Sequence, residues 1–372
     1  MLCKKINLCN FRNTVDECVE FDEGINVFLG ENAQGKTNLL EGIYYISLGK
    51  SFRTTHEAEV IRFGEEYASI SLDYESAGRD QNITMRFSST QRKNVTHNGV
   101  KISKLSDLVG SFRAVLFCPD HLQMIKEGPA LRRNYLDVAI SQIRPIYLHS
   151  LQKYYKILKQ RNQLIKNAPD DRATFNSTID FWSEQLAHEA AVISKFRNDY
   201  INKSSEIIAE FYQRMCERSD IKESPEFIYA GSSKQSCEEY ADISAVEKRY
   251  MELLSSSHDR EIAAGLTLYG IHKDDITVNL NGKNTRLYAS QGQQRSLALA
   301  MKLAEGEICK MEGGEYPVFL FDDVFSELDE ARRKNLLREI SDRQIIITSC
   351  EKDMIFPVDC KKIEVKSGKY YS

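Results

Sequence analysis

The chain has 372 residues, of which 42% are hydrophobic and 28% are charged, and its formal net charge is −4. This composition is ordinary for a globular protein long enough for two domains, and it indicates no fibrous or disordered class. Because the net charge is negative, any binding to nucleic acid must use a local basic surface.

Neither a targeting segment nor a disulfide framework is indicated. The first residues, MLCKKINLCNFRN, lack the apolar core of a signal peptide, and no apolar run approaches the ~20 residues that span a bilayer. Nine scattered cysteines without a C-x-x-C pair or zinc-spaced histidines predict reduced structural thiols. We therefore expect a cytoplasmic protein that is not in the membrane.

A phosphate-loop motif follows the second predicted strand. After a strand near Lys5–Phe11 comes the apolar strand Ile25–Leu29, and then Gly30–Thr37 reads GENAQGKT ahead of a helix. Strand, loop and helix stand in the order that the G-x-x-x-x-G-K-[ST] pattern requires. A glycine-rich turn before an ordinary helix would explain the letters, but it would not explain this context. The sequence therefore predicts nucleotide binding.

The chemistry of a triphosphate explains the residue types of this loop. Gly30 and Gly35 permit a tight turn whose N–H groups point at the phosphates. Lys36 supplies a mobile cation for the β- and γ-phosphates, and the Thr37 hydroxyl is suited to Mg²⁺. The predicted nucleotide-binding residues of this segment are Gly30, Glu31, Asn32, Ala33, Gln34, Gly35, Lys36, Thr37 and Asn38.

Strands dominate the remainder of the N-terminal region. Alternating patterns and turn residues predict a strand pair, a hairpin turning at Asn98–Gly99 and one buried strand. The segments are Ser69–Tyr74 with Ile83–Ser88, Val95–Ile102, and Val115–Phe117. We assign residues 1–122 to the N-terminal part of a nucleotide-binding head.

A mainly helical arm is expected after Pro119. From Leu131 to about Glu217 apolar residues recur at helical spacing, and Asn167–Ala168–Pro169 separates two long helices. A polar loop at 231–236 and a linker at 255–258 follow. Residues 123–260 are therefore predicted to form an arm that interrupts the head.

The arm offers a candidate DNA surface, but we assign none of its residues as a DNA contact. Basic and aromatic side chains are interleaved along it, as in proteins that bind nucleic acid backbones and unpaired bases. A solvated helix face opposite an apolar core explains each of them equally well. The residues are Arg132, Arg133, Lys153, Tyr154, Tyr155, Lys156, Lys159, Arg161 and Lys166.

Strands return in residues 261–372, which we assign to the C-terminal part of the head. A strand at Leu266–Tyr269 is expected, followed by a hairpin from Ile276 to Tyr288 that turns at Asn281–Gly282. Together with residues 1–122, this segment predicts an α/β fold built on a mixed sheet with an antiparallel β lobe.

A second anion site is predicted where the run SQGQ opens an amphipathic helix. Ser290 is a candidate N-cap, and the free N–H groups of the helix N-terminus can face a phosphate. A phosphate-loop domain needs one such site, so the natural use of a second is across a dimer. Ser290, Gly292 and Gln293 of one protomer would then face the γ-phosphate bound by the other. For the turn alone, a plain serine N-cap is the better explanation.

The aspartates that end the next strand are candidate catalytic groups. Val318–Phe321 is apolar without alternation, as expected of a strand buried on both faces, and Asp322 and Asp323 follow it. Asp322 is predicted to hold Mg²⁺, and Asp323 to polarise the attacking water. Two aspartates at a surface turn are the alternative, which the presence of the phosphate loop makes much weaker. Lys36, Asp322 and Asp323 are the predicted catalytic set.

The order of these elements resembles the ABC-type ATPase heads of transporters, SMC proteins, Rad50 and RecF. Ser326–Asp329, which reads SELD, continues that likeness after the aspartate strand. Other runs are similar to the RecF family over nearly the whole chain. They are NFRN at 10–13, GKTNLLEGIYY at 35–45, SFRT at 51–54, RRNYLD at 132–137 and GIHKDD at 270–275.

This resemblance implies an ATP-driven dimer that traps two nucleotides with Mg²⁺ and hydrolyses them slowly when stimulated by DNA. Ser290 and Asp329 would lie at the dimer interface. The implied task is recognition of gapped DNA and of junctions between single and double strands. With RecO and RecR, the protein would promote RecA loading in DNA repair, replication recovery and SOS induction.

Several residues depart from the family pattern. Ile271 stands where proline is usual, and Lys273 replaces an arginine. Asp323 is one methylene shorter than the glutamate of many ABC ATPases, and no histidine lies near Thr348–Ser349 to sense the γ-phosphate. Both of these last features are consistent with slow hydrolysis.

Two other functions remain open from the sequence. The chain could be the ABC-type motor subunit of a membrane transporter, although the 260 positions between Gly30 and Ser290 far exceed the spacing of such motors. It could also be an interaction scaffold that binds ATP and scarcely hydrolyses it.

Overall fold

A computed structural model of the chain describes residues 1–216, 223–351 and 360–371. The described residues divide into two compact units. The first unit comprises Met1–Gln123, Glu210–Lys222 and Arg295–Ser372, and the second comprises Met124–Ala209 and Glu223–Gln294. The predicted end of the helical stretch, Glu217, lies outside the described residues.

The described strands, numbered in chain order, are β1 Leu2–Cys9, β2 Asp16–Glu20, β3 Ile25–Leu29, β4 Tyr67–Ser76, β5 Arg79–Ser88, β6 Asn94–His97, β7 Val100–Lys101, β8 Ala114–Phe117, β9 Pro225–Ala230, β10 Asp275–Leu280, β11 Lys283–Asn284, β12 Val318–Asp322, β13 Ile345–Ser349, β14 Cys360–Lys366 and β15 Lys369–Tyr371. The α-helices are α1 Lys36–Leu48, α2 Pro119–Leu122, α3 Pro129–Ile143, α4 Pro145–Asn167, α5 Arg172–Met215, α6 Ile243–Ser255, α7 His258–Ala264, α8 Thr285–Tyr288, α9 Gln291–Gly313 and α10 Glu330–Glu339.

A six-stranded mixed sheet forms the centre of the first unit. Its order is β15-β14-β3-β13-β12-β8, and every neighbouring pair is parallel except β14 with β15. The registers pair Leu29 with Ser349 and Asp322 with Thr348, so the carboxyl ends of β3, β13 and β12 lie at one edge. This register carries the segments that follow β3 and β12 to the same edge of the sheet.

An antiparallel sheet of order β2-β1-β4-β5-β6-β7 completes the β structure of this unit. Helix α1 contacts β4 of this sheet and β8, β12 and β13 of the mixed sheet. Because both of its sides are covered, α1 is apolar almost all round, and its residues from Leu39 to Leu48 are buried.

The second unit is mainly helical with one small sheet. Helix α4 ends at Asn167 and α5 begins at Arg172, as the Asn167–Ala168–Pro169 break predicts. The antiparallel sheet has the order β11-β10-β9. Within the described part of the chain, no helix is long and apolar enough to cross a bilayer.

The predicted fold class is confirmed, but several local predictions differ from the structure. The contacts place residues 261–294 with the arm, because β10 pairs along its whole length with β9, a strand that we did not predict. Residues 266–269 form no strand. The second strand of the predicted hairpin is only Lys283–Asn284, and Thr285–Tyr288 is a short helix.

Candidate nucleotide-binding site

The phosphate loop folds around its own lysine. Lys36, the first residue of α1, is 7% exposed. Its ammonium donates hydrogen bonds to the backbone carbonyls of Gly30 (2.6 Å) and Glu31 (2.7 Å). The loop thus holds a cation at its centre, where it can meet an incoming phosphate.

Two glycines are required by the shape of this loop. A Cβ atom at Gly30 would lie 2.5 Å from the carbonyl oxygen of Val365. Gly35 has a φ of 112°, a conformation that side chains rarely permit. Either substitution would force the backbone out of the position that presents its N–H groups.

The β14–β15 hairpin and an N-terminal asparagine brace the outer side of the loop. The carbonyl of Gln34 accepts a hydrogen bond from the backbone N–H of Gly368 (2.8 Å), and its side-chain oxygen accepts one from Ser367 (2.7 Å). The Tyr370 hydroxyl donates to the Gly35 carbonyl (3.2 Å), and Asn13 donates its amide to Gln34 (3.3 Å). These contacts fix the loop before any ligand arrives.

The predicted metal residues meet at the sheet edge. Thr37 Oγ1 donates to Asp322 Oδ1 at 2.8 Å, although the two residues are 285 positions apart. Thr348, opposite Asp322 on β13, donates to the same oxygen at 2.9 Å. One carboxylate and one threonine hydroxyl are hard oxygen ligands of the kind that Mg²⁺ uses, together with phosphate oxygens.

Burial shifts the protonation of both charged residues in this site. Burial raises the pKa of Asp322, and the hydroxyl hydrogen bonds of Thr37 and Thr348 oppose the rise. Burial lowers the pKa of Lys36, while nearby Cys350, Asp323 and Asp322 act in the opposite direction. A buried carboxylate of raised pKa favours a cation beside it, so the residues present fit a bound Mg²⁺.

Asp323 is held in a left-handed turn with φ of 51°. Its backbone N–H donates to the carbonyl of Thr348 at 3.2 Å, which fixes the turn to β13. Its carboxylate is partly exposed and lies 3.8 Å from the Cys350 sulfur. Asp323 therefore adjoins Asp322 with an accessible carboxylate, as a water-polarising group requires.

A buried carboxylate on α1 gathers two arginines beside the loop. Glu41 is fully buried and accepts hydrogen bonds from Arg12 at 2.6 Å and 2.9 Å, and from Arg53 at 3.2 Å. Ser51 also donates to it, at 2.5 Å. Arg12 and Arg53 belong to the runs NFRN and SFRT, which carry part of the family resemblance. That resemblance was the one signal in the sequence for this cluster.

A cavity of about 680 Å³ lies next to the loop within the same unit. Asn38 connects it to the loop, since its amide donates to Asn13 (2.6 Å) and its oxygen accepts from Arg53 (2.7 Å). This volume is within the usual range for small-molecule sites. Its lining includes Arg12, Asn13, Asn38, Arg53, Arg62 and the fully exposed Phe63.

The second predicted anion site belongs to the second unit. Ser290 precedes α9, and its hydroxyl accepts from the Gln293 N–H at 3.3 Å, while the Gln293 side-chain oxygen accepts from the Ser290 N–H at 2.8 Å. This reciprocal pair is a capping box. The serine cap is therefore present, and Gly292 lies inside the first turn of the helix.

Asp329 lies in the first unit at the N-terminus of α10. Its carboxylate accepts from the Arg332 N–H at 2.9 Å and pairs with the Arg332 guanidinium. Asp329 is exposed. The structure thus gives Asp329 a capping role, and its part in a dimer stays a prediction.

Comparison with known proteins places the chain in a family. A family model described as RecF/RecN/SMC N terminal domain matches residues 2–367. The DNA replication and repair protein RecF of Ruminiclostridium cellulolyticum is 39% identical over 354 residues, with 95% of this chain and 94% of the relative covered. RecF of Clostridium tetani is 37% identical over 372 residues, covering 99% of both chains.

Solved structures give the same result. The recombination mediator protein RecF-ATPrS in the RecFOR pathway superposes with a TM-score of 0.92 at 34% identity, covering 99% of this chain and 97% of that one. An SMC head bound to the C-terminal winged-helix domain of ScpA has a TM-score of 0.59 at 15% identity, covering 100% and 96%, which shows a shared fold alone. The phosphate loop, the aspartate strand and these full-length likenesses together establish that the chain belongs to the RecF family of DNA replication and repair proteins, within the SMC-like ATPases.

Proposed function

We propose that this chain is an ATP-dependent, DNA-binding recombination mediator. The observation that carries the proposal is the 2.8 Å contact between Thr37 and Asp322, because it joins the phosphate loop to the carboxylate that a magnesium–ATP site needs. The solved RecF-ATP structure, at 35% identity and a TM-score of 0.90, supports ATP as the nucleotide.

The nucleotide is proposed to lie along the loop from Lys36 to the neighbouring cavity. The backbone N–H groups from Gly30 to Asn38 would surround the β-phosphate, with the base and ribose in the cavity lined by Arg12 and Asn13. Thr37 and Asp322 would hold Mg²⁺, which when bound neutralises charge on the β- and γ-phosphates.

Hydrolysis is proposed to be slow and to be stimulated by DNA. Asp323 would orient the attacking water, but its side chain is a methylene shorter than glutamate and reaches less far from the strand end. No histidine lies near Thr348–Ser349 to sense the γ-phosphate, and the Thr348 hydroxyl donates a hydrogen bond to Asp322 instead. These groups favour a protein in which bound ATP chiefly stabilises a closed dimer.

Two protomers are proposed to close around two nucleotides. Ser290, Gly292 and Gln293 of one protomer would face the γ-phosphate bound by its partner, and the exposed carboxylate of Asp329 would lie at the same interface. The γ-phosphate is then a contact made only in the closed state, so its loss shifts the equilibrium toward monomers.

DNA gaps and the junctions between single and double strands are the proposed targets, in the cytoplasm. The RecFOR pathway named for the solved relatives supports RecO and RecR as partners. In that role the chain would promote RecA loading in DNA repair, replication recovery and SOS induction.

The size of the protein in solution tests the proposal. Sedimentation with Mg²⁺-ATP and a gapped duplex is expected to give a DNA-bound dimer, whereas ADP with a blunt duplex is expected to leave monomers. A protein that stays monomeric with saturating Mg²⁺-ATP and the gapped duplex would contradict the proposed ATP-dependent dimer. Dimers that form equally well on gapped and on blunt duplex would instead indicate general duplex binding without recognition of gaps.

Ser290→Arg is expected to prevent dimerisation while leaving the nucleotide affinity of the monomer unchanged. The long guanidinium would occupy the space in front of the capping box, where the partner's γ-phosphate must approach. Sedimentation with ATP and fluorescent-nucleotide titration measure the two effects separately. Ser255→Arg, at an exposed serine of the same unit, is the matched control. ATP-dependent dimers of the Ser290 variant would remove Ser290 from the interface.

A further inference from the structure

Helix α4 is unusual in its charge. Its 23 residues contain Lys153, Lys156, Lys159, Arg161 and Lys166 but no aspartate or glutamate. Helices α1, α3, α5, α6 and α9 each contain at least one carboxylate. In a chain of net charge −4, this helix is therefore a local concentration of positive charge.

Burial separates the structural cations of this region from the available ones. Arg161 is fully buried and paired with Glu261 at 2.7 Å. Arg132 of α3 is 4% exposed and donates two hydrogen bonds to Asp275. Tyr154 is also fully buried. These three residues are therefore excluded from the candidate DNA surface, because their buried side chains stabilise the unit.

Lys156, Lys159 and Lys166 remain as exposed cations. None of them has an ion-pair partner among residues 1–216, 223–351 and 360–371. Lys153 is half-exposed and lies 3.3 Å from Glu189. The three unpaired ammonium groups keep their charge available for a ligand.

Helical geometry places the three lysines on one face. At 3.6 residues per turn they fall within an arc of about 80°, and at 1.5 Å per residue they span about 15 Å along the axis. B-DNA carries one phosphate charge per about 1.7 Å of axis, so a face of this length lies opposite several phosphates.

An exposed aromatic side chain lies on the same face. Tyr155 is 43% exposed, although it follows the buried Tyr154. Its position falls about 40° from that of Lys159 around the helix axis. A tyrosine among lysines offers a base-stacking surface beside a phosphate-binding one, and every unpaired base has a face that can stack on it.

The residue types favour nucleic acid over an acidic protein. Lysine is depleted from protein–protein interfaces, where burying an ammonium is costly. It is common against phosphates, where each contact releases condensed counterions and the charge remains hydrated. A lysine face without carboxylates is therefore complementary in charge to a DNA backbone.

We propose that the exposed face of α4, formed by Tyr155, Lys156, Lys159 and Lys166, binds the DNA phosphate backbone, with Tyr155 stacking on an unpaired base at a junction. This inference rests on the proposed function, because it assigns a surface to the DNA binding named there.

The triple variant Lys156→Gln, Lys159→Gln, Lys166→Gln tests the surface. In the presence of Mg²⁺-ATP, its affinity for a gapped duplex is expected to fall at least about tenfold near 0.1 M salt. The slope of log K against log salt is expected to shrink by about 2.7 for each protomer whose α4 face contacts the DNA, or 0.9 for each lost contact. Fluorescence anisotropy across a series of salt concentrations measures both.

A matched triple variant controls for total charge. Lys126→Gln, Lys234→Gln, Lys248→Gln removes three exposed lysines of the same unit, and it is expected to keep the wild-type slope. Thermal melting of both triple variants checks that the fold is retained. Equal slopes for wild type and the α4 variant would overturn the proposal, and so would an equal loss in both triple variants.

Tyr155→Ala separates stacking from charge. It is expected to weaken binding to a gapped duplex while leaving the salt slope and the affinity for blunt duplex unchanged, because stacking adds no ion pair. Wild-type protein in the same titration keeps the two proposals apart. Absence of wild-type DNA binding would overturn the proposed function, whereas wild-type binding that the α4 triple variant retains would overturn only this surface.

Discussion

Lys36→Arg is expected to lower the rate of DNA-stimulated ATP hydrolysis at least about a hundredfold. The wild-type ammonium lies within 2.7 Å of two loop carbonyls, and Lys36 is only 7% exposed, so the space is matched to a compact point charge. A planar guanidinium is longer and bulkier and cannot make the same contacts. Dimerisation with ATP should weaken as well, because the γ-phosphate would be displaced.

Phosphate release with Mg²⁺-ATP and duplex DNA measures the rate. Lys50→Arg, at the exposed residue just beyond α1, is the matched control and should behave as wild type. Melting curves without nucleotide should differ little, since the loop is also braced by Ser367, Gly368 and Tyr370. A Lys36→Arg protein that hydrolyses ATP and dimerises normally would show that Lys36 is not the phosphate cation.

The sequence predicted those parts of the fold whose signals are local. Strand β3 has the predicted bounds Ile25–Leu29, and β12 begins at the predicted Val318, because buried parallel strands are short apolar runs. The turns at Asn98–Gly99 and Asn281–Gly282 were predictable because an Asn-Gly pair favours hairpin turns that require positive φ at both residues. All four residues have positive φ in the structure.

Non-local pairing accounts for most of what the sequence did not predict. Residues 261–294 were assigned to the head because they contain a hairpin, but β10 of that hairpin pairs with β9, far earlier in the chain. The Glu41 cluster was missed for the same reason, since its carboxylate lies within an apolar helix and its partners come from separate loops. The Glu41 cluster depends on contacts that only the folded chain brings together.

The burial of Arg161 was predictable from its position on the apolar stripe of α4. Arg161 lies seven residues after Tyr154, three after Leu158 and four before Ile165, and all four side chains are buried. An arginine on the apolar stripe of a helix requires a buried partner, here Glu261. Its position on the buried stripe of α4 therefore excludes Arg161 from the candidate DNA surface.

Asp322→Asn is expected to reduce hydrolysis about a thousandfold without harming the fold. An amide keeps an oxygen that can accept from Thr37 and Thr348, so both of those hydrogen bonds can persist. It removes the negative charge that would hold Mg²⁺, so nucleotide affinity should no longer rise when Mg²⁺ is added. Asp16→Asn, at an exposed aspartate of the same unit, is the matched control.

Stability gives a second readout, with a definite sign. Burial raises the pKa of Asp322 above its usual 3.8, so the folded protein binds this proton more tightly than the unfolded chain. The free energy of unfolding contributed by this group therefore falls as pH rises from 3.8 through the folded pKa. The asparagine variant lacks this loss, so its melting temperature without ligand should equal or exceed that of wild type at neutral pH.

The advantage of the variant should disappear as the pH is lowered toward 3.8, because the wild-type carboxyl is then protonated as well. Calorimetry of both proteins across this range, without nucleotide or metal, measures the difference. Adding Mg²⁺-ATP at neutral pH should reverse the order, since only the wild-type site gains a bound cation that offsets its buried charge. A variant that is less stable than wild type without ligand, at every pH, would instead make Asp322 a structural residue and move the metal site elsewhere.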